Sequence, residues 1–218
     1  MAGAETMIVT ANIVGYDGEV LRVKPIEVID RELLQKQVDK IEIRLNDGRE
    51  ISAEQRKKIF ALIRDIADWS GDEPERIRKY TEFEYRLQNG LEPFSLSDCD
   101  MSTAREYITY LIDFCFTHSV PTRDTLLNRT DDINKYLYSC LEHRKCAVCN
   151  QKADVHHIDT VGMGRDRATI IHLGMEAIAL CRTHHQQAHT QGKAFFENYH
   201  LYGVKLDKYL CNKLNLKG

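Results

Sequence analysis

The sequence predicts an α+β chain with strands first, a helical bundle next and a small Cys- and His-rich domain last, on three observations. Apolar residues alternate in strand fashion through the first 50 residues, and stripes of helical period fill residues 52 to 142. Two knuckles of Cys and His at metal-ligand spacing then crowd the last third.

In chain order, residues 7–14, 20–23 and 41–45 read as strands, with turn signals at Asp17-Gly18 and Asn46-Asp47-Gly48 and a short helix over 31–38. Ser52 and Gln55 form a capping box for a helix whose apolar face is Ile59, Phe60, Ile63, Ile66 and Ala67, closed by Trp69. A second helix over 75–88 stops at Asn89-Gly90. Thr103 and Glu106 cap a third, with Tyr107, Tyr110, Leu111, Phe114 and Cys115 on one face and Pro121 beyond its end. A fourth, over 131–142, presents Ile133, Tyr136, Leu137, Cys140 and Leu141 and leads into the first knuckle. These stripes follow helical period without interleaved basic residues, which marks them as core and not as nucleobase platforms. Arg56, Lys57 and Lys58 read as a solvated face. After His189, one or two terminal helices divided at Gly203 cover the small domain. The division falls at residue 138, giving domains 1–138 and 139–218.

Composition bounds the setting. The chain has 218 residues, 43% hydrophobic and 29% charged, enough for one large or two small domains with real cores. No run of about 18 apolar residues reaches membrane-spanning length, and the first residues lack a secretory pattern. Seven cysteines, an odd number with three in metal spacing, point to a reducing compartment, hence the cytoplasm. Residues 139–218 hold 11 Lys and Arg against 7 Asp and Glu, net +4, and the first 138 hold 19 against 26, net −7. A mildly basic C-terminal part suits a polyanionic substrate.

The chemistry concentrates in 44 residues. Cys146-x-x-Cys149 and Cys181-x-x-His184 each place two ligands three residues apart, so the four make one Cys3His zinc site. A helix starting near Cys181 sets His185 and His189 on a neighbouring face. With His156 from a strand, those two form an inner site that keeps positions open, as catalytic metals require. His157, next on that strand, points the opposite way and is free of the ion, which suits a general base.

The run Cys146-Ala-Val-Cys149, Val155-His156-His157-Ile158, Ala179-Leu180-Cys181-Arg182-Thr183-His184-His185 and His189 resembles HNH nucleases of the ββα-metal type over residues 140 to 195. The resemblance implies a zinc-stabilised ββα module in which His157 activates water and His156, His185 and His189 hold a divalent ion. Cys146, Cys149, Cys181 and His184 match the structural zinc of many members, with His184 where a cysteine is commoner. Arg165 and Arg167 fall in the inter-strand loop, where they would touch phosphates. The family asparagine that braces the base loop is replaced by Glu176, an acceptor-only carboxylate. The ion is Mg²⁺, Mn²⁺, Ni²⁺ or Zn²⁺, and an imidazole-rich site favours the softer, borderline metals.

Residues 1 to 130, with Gln55-Arg-Lys-Lys-Ile-Phe-Ala-Leu-Ile-Arg-Asp-Ile and Met101-Ser-Thr-Ala-Arg-Glu-Tyr, resemble the lambda Orf (NinB) family of phage recombination proteins. That resemblance implies a homodimer in a bacterial host cytoplasm, binding single-stranded or branched DNA. It further implies single-strand-binding protein and a recombinase or annealing protein as partners. Together the two resemblances describe a phage-type recombination protein that hydrolyses DNA phosphodiesters. The alternative is a non-catalytic mediator whose degenerate HNH module supports DNA binding and structure. A zinc-bearing protein-interaction module is a third class. A Cys-x-x-Cys redox pair fits poorly, because that chemistry has no use for the second knuckle or the histidines.

Overall fold

The structure, a computed structural model, describes residues 11–25, 48–158 and 171–217. Strands β1 (Ala11–Tyr16) and β2 (Leu21–Pro25) pair antiparallel around Asp17-Gly18, with Ile13 opposite Val23 and Tyr16 opposite Leu21. Asp17 Oδ1 accepts the Glu19 and Val20 amides at 3.2 and 2.9 Å, and Gly18 takes a φ of 101° that a side chain would resist. The first strand therefore runs on through Gly15 and Tyr16, past the predicted end at residue 14. The strand expected over 41–45 and the helix over 31–38 lie outside the described residues.

Helix α1 (Ala53–Ser70) opens on the expected capping box: Ser52 Oγ accepts the Gln55 amide at 3.1 Å, and the Ser52 amide donates to Gln55 Oε1 at 3.0 Å. Its buried face is Ile59, Leu62, Ile63, Ile66 and Ala67, but Phe60 and Trp69 stand 43% and 44% exposed, against expectation. Phe60 lies at the edge of the stripe, and Trp69 in the last turn meets the ring of His118. Lys58 is likewise not simply solvated, since its ammonium donates to the Thr130 carbonyl at 2.8 Å and pairs with Asp131 at 3.2 Å.

Helix α2 (Pro74–Asn89) starts on a proline and ends at Gly90 in the left-handed region, as the Asn89-Gly90 signal predicts. Helix α3 (Met101–His118) begins earlier than its predicted cap. Asp100, not Thr103, accepts the first amide, that of Thr103 at 2.9 Å. A short helix α4 (Leu126–Arg129), which no periodicity marked, precedes α5 (Ile133–Glu142), capped by Asp132. A continuous apolar core runs from Ile51 to Leu214, with α5 packed on both α3 and the second sheet. The four cysteines outside the knuckles, Cys99, Cys115, Cys140 and Cys211, are buried free thiols within it.

The second sheet is antiparallel, in the order β3 (Asp154–His157), β4 (Glu176–Leu180), β5 (Val204–Lys205). Helix α6 (Arg182–Gln191) follows β4 directly, and α7 (Lys193–Tyr199) and α8 (Lys208–Leu214) flank β5. Residues 204 and 205 were expected to be helical, yet they form the third strand, and Asp207 caps α8 only afterwards. Gly203 permits this pairing. An added Cβ there would sit 2.8 Å from both Glu176 Cβ and Ile158 Cδ1, in the hairpin of β3 and β4. Mixed α and β, the described residues form two small antiparallel sheets, and no described helix is long and apolar enough to cross a membrane.

Candidate metal centres and their histidines

The first knuckle is a tight reversal between bridged residues Lys145 and Lys152. The Cys146 amide donates to the Gln151 carbonyl at 2.7 Å, and Asn150, at a φ of 59°, returns its amide to the Cys146 carbonyl at 2.9 Å. Side chains from the helical part hold the loop. Tyr136 of α5 donates its hydroxyl to the Ala147 carbonyl at 2.9 Å, and Asn150 binds that hydroxyl through Nδ2 and the Leu126 amide through Oδ1. The Ala147 amide donates to Ala179 of β4 at 2.9 Å. Because β4 runs straight into Cys181, this bond sets one knuckle against the other.

Cys181 is the N-cap residue of α6, and its thiol lies near the amides of Thr183 and His184 without making a cap hydrogen bond. Burial pushes its thiol up, but those amides and the neighbouring cysteines outweigh burial and leave its pKa lowered. Cys149 goes the other way, pushed up to about 12 chiefly by burial. The ligand atoms of Cys146, Cys149, Cys181 and His184 all lie within 4.8 Å of one another. Cys149 and Cys181 sulfurs stand 3.7 Å apart, and His184 Nδ1 is 3.4 Å from Cys146 Sγ and 3.1 Å from Cys181 Sγ. A tetrahedral zinc with ordinary bond lengths has ligand-to-ligand edges of about 3.6 to 3.8 Å; the Cys149–Cys181 edge matches, and the His184 ring has to draw back a few tenths of an ångström for the four donors to close on that ion.

A second group forms on the other side of α6. His156, buried on β3 opposite Ile178, meets His185 and His189 with ring centroids 4.6 and 4.8 Å away, and those two stack at 4.9 Å. Their ligand nitrogens also fall within 4.8 Å of one another. Four-residue spacing along α6 brings His185 and His189 to one face, as the sequence implies. Burial, with the neighbouring imidazoles adding to it, pulls the His156 pKa down to about 4, so this ring stays neutral with a lone pair to give. His189 is exposed and His185 half-buried, which leaves the group open toward solvent.

His157 points away from this trio, as alternation requires, and is half-buried. Its Nε2 lies 2.9 Å from Nδ1 of His172, with ring centroids 4.8 Å apart. His172, which stands outside the ligand spacing in the sequence, is thus brought beside the base. The signal was topological: an antiparallel hairpin brings the residues before its second strand back beside the end of its first. His118, His143 and His200 do serve local structure, packing on Phe114, bonding Asp113 at 2.9 Å and ending α7 respectively. Glu176 heads β4, and its carbonyl accepts the Ile158 amide at 2.9 Å, directly after His157. Arg165 and Arg167 lie outside the described residues.

The family model described as "Putative HNHc nuclease" matches residues 24–217. The match extends through the helical part, so the nuclease likeness is not confined to the C-terminal third, and nothing in it supports the Orf (NinB) resemblance. No curated protein and no solved structure shows a significant match.

Proposed function

The chain belongs to the Putative HNHc nuclease family, and on that premise we propose that it hydrolyses DNA phosphodiesters with the help of a divalent ion. The observation that carries this reading is the convergence of His156, His185 and His189 from two backbone elements, with His157 next on the same strand. In this reading His156, His185 and His189 hold the ion. The ion, when bound, supplies positive charge that stabilises the negative charge gathering on phosphorus oxygens and on the leaving group. His157 takes a proton from water as the water oxygen bonds to phosphorus and the bond to the leaving ester oxygen breaks. Cys146, Cys149, Cys181 and His184 hold zinc and lock β3, β4 and α6 together, which fixes the trio's geometry. Arg165 and Arg167 contact phosphates, and the net charge of +4 over residues 139–218 favours a polyanion.

Cleavage of single-stranded, duplex and branched DNA with Mn²⁺, Ni²⁺, Zn²⁺ and Mg²⁺ tests the proposal. Wild type should cut, best with the borderline metals, and His157→Ala should lose about a hundredfold to ten-thousandfold in rate, the usual worth of a general base. Equal cutting by both proteins removes His157 from the mechanism. A second reading, a non-catalytic DNA-binding member, draws on Glu176 standing in place of the bracing asparagine. Binding without cutting under every metal would select it.

A further inference from the structure

We propose that His172 is a positioning residue for His157: it accepts a hydrogen bond from His157 Nε2 and thereby sets which nitrogen of the base takes the proton. This rests on the hydrolytic reading of His157 given above. The geometry is specific. Nδ1 of His172 lies 2.9 Å from Nε2 of His157, a distance at which two ring nitrogens share a single proton.

His172 is also held in place by its backbone. Its amide donates to the Lys217 carbonyl at 2.7 Å, its carbonyl accepts the Met175 amide at 3.0 Å, and Gly174 ties the same turn to Leu206 at 2.7 Å. Ile171 and Leu173 on either side are exposed, 62% and 41%, while His172 turns inward against the base. The C-terminal segment thus helps to position this ring.

The proton count follows from imidazole chemistry. A neutral imidazole carries one N–H, so a base that takes a proton at Nδ1 must already carry its own on Nε2. That hydrogen points at His172 Nδ1, which must then be the unprotonated nitrogen of a ring protonated at Nε2. When His157 becomes an imidazolium, the same bond becomes charge-assisted and strengthens. A carboxylate in this place would orient the base equally well but would set a negative charge near a phosphodiester. A neutral imidazole orients without that repulsion.

Two measurements test the pairing. Nitrogen NMR on histidine-labelled wild type should show His157 protonated at Nε2 and bare at Nδ1, and His172→Ala should mix the two tautomers. Finding His157 protonated at Nδ1 in wild type, or an unchanged tautomer in His172→Ala, would overturn the proposal whether or not DNA is cut. In cleavage, His172→Ala should lower kcat by about tenfold to a hundredfold with KM and metal content unchanged, the scale on which orienting partners act. His172→Asn, whose side-chain carbonyl can replace the Nδ1 acceptor, should recover most of that loss, and His172→Leu should not. Asn and Leu variants equally impaired would reduce His172 to packing. A wild type that never cuts would sink the hydrolytic reading, while the NMR result would still decide the pairing.

Discussion

The two histidine-bearing groups share one helix and differ in almost everything else. The knuckle group is complete, with four ligands, two of them cysteines on a reversal bolted to α5 and β4, and its central Cys146 fully buried. The trio has three imidazoles, one buried and one exposed, and no fourth protein ligand among the described residues. A closed sphere suits a structural ion, and an incomplete sphere facing solvent suits one that meets a substrate. The same α6 serves both because Cys181 is its N-cap, His184 lies in its first turn, and His185 and His189 follow on the adjacent face.

That dependence should be one-way, which gives the largest expected effect. Cys181→Ser removes a knuckle ligand while leaving a residue that caps helices well, so the C-terminal module should melt far below wild type through loss of the ion alone, since structural zinc contributes on the order of 10 kcal/mol to such folds. His189→Ala should leave the melt nearly unchanged while abolishing cutting. Thermal unfolding followed by circular dichroism separates the two, and an equal loss in both variants would erase the distinction between the centres.

A smaller effect concerns protons. In metal-stripped protein His156 is held at about 4, below the ordinary imidazole value of about 6.5, so the unfolded chain binds more protons between those limits. Stability is therefore full above about pH 6.5 and falls as pH drops toward about 4, by up to about 3 kcal/mol from this residue. Urea unfolding across that window should show the slope in wild type and a reduced slope in His156→Phe. An identical slope in both would place the effect elsewhere.

The smallest effect is expected at Glu176. Its carbonyl, not its side chain, receives the Ile158 amide that closes the hairpin after the base. Glu176→Asn should hence change cleavage by no more than about fivefold, the worth of one net hydrogen bond. A much larger gain would mean that the carboxylate had been suppressing an otherwise competent site.

Local signals made much of this legible. The capping box at Ser52, the stop at Gly90 and the buried faces of α1 and α5 depend on neighbours in sequence, and they can be read there. So can the grouping of the knuckles, because spacing along a turn and a helix fixes which ligands can meet. What failed depends on distant partners. Val204 and Lys205 became a strand because β4 offered a free edge beside Gly203, and Phe60 is exposed because no described residue packs fully over its side of α1. His172 lies 15 residues from His157, a separation that no local period connects and only the hairpin closes.

The most direct test of two unlike centres on one helix is a count of bound ions by native mass spectrometry. Wild type loaded with zinc should carry two per chain, and His156→Ala should carry one. A single ion in wild type, or two retained in His156→Ala, would contradict the account.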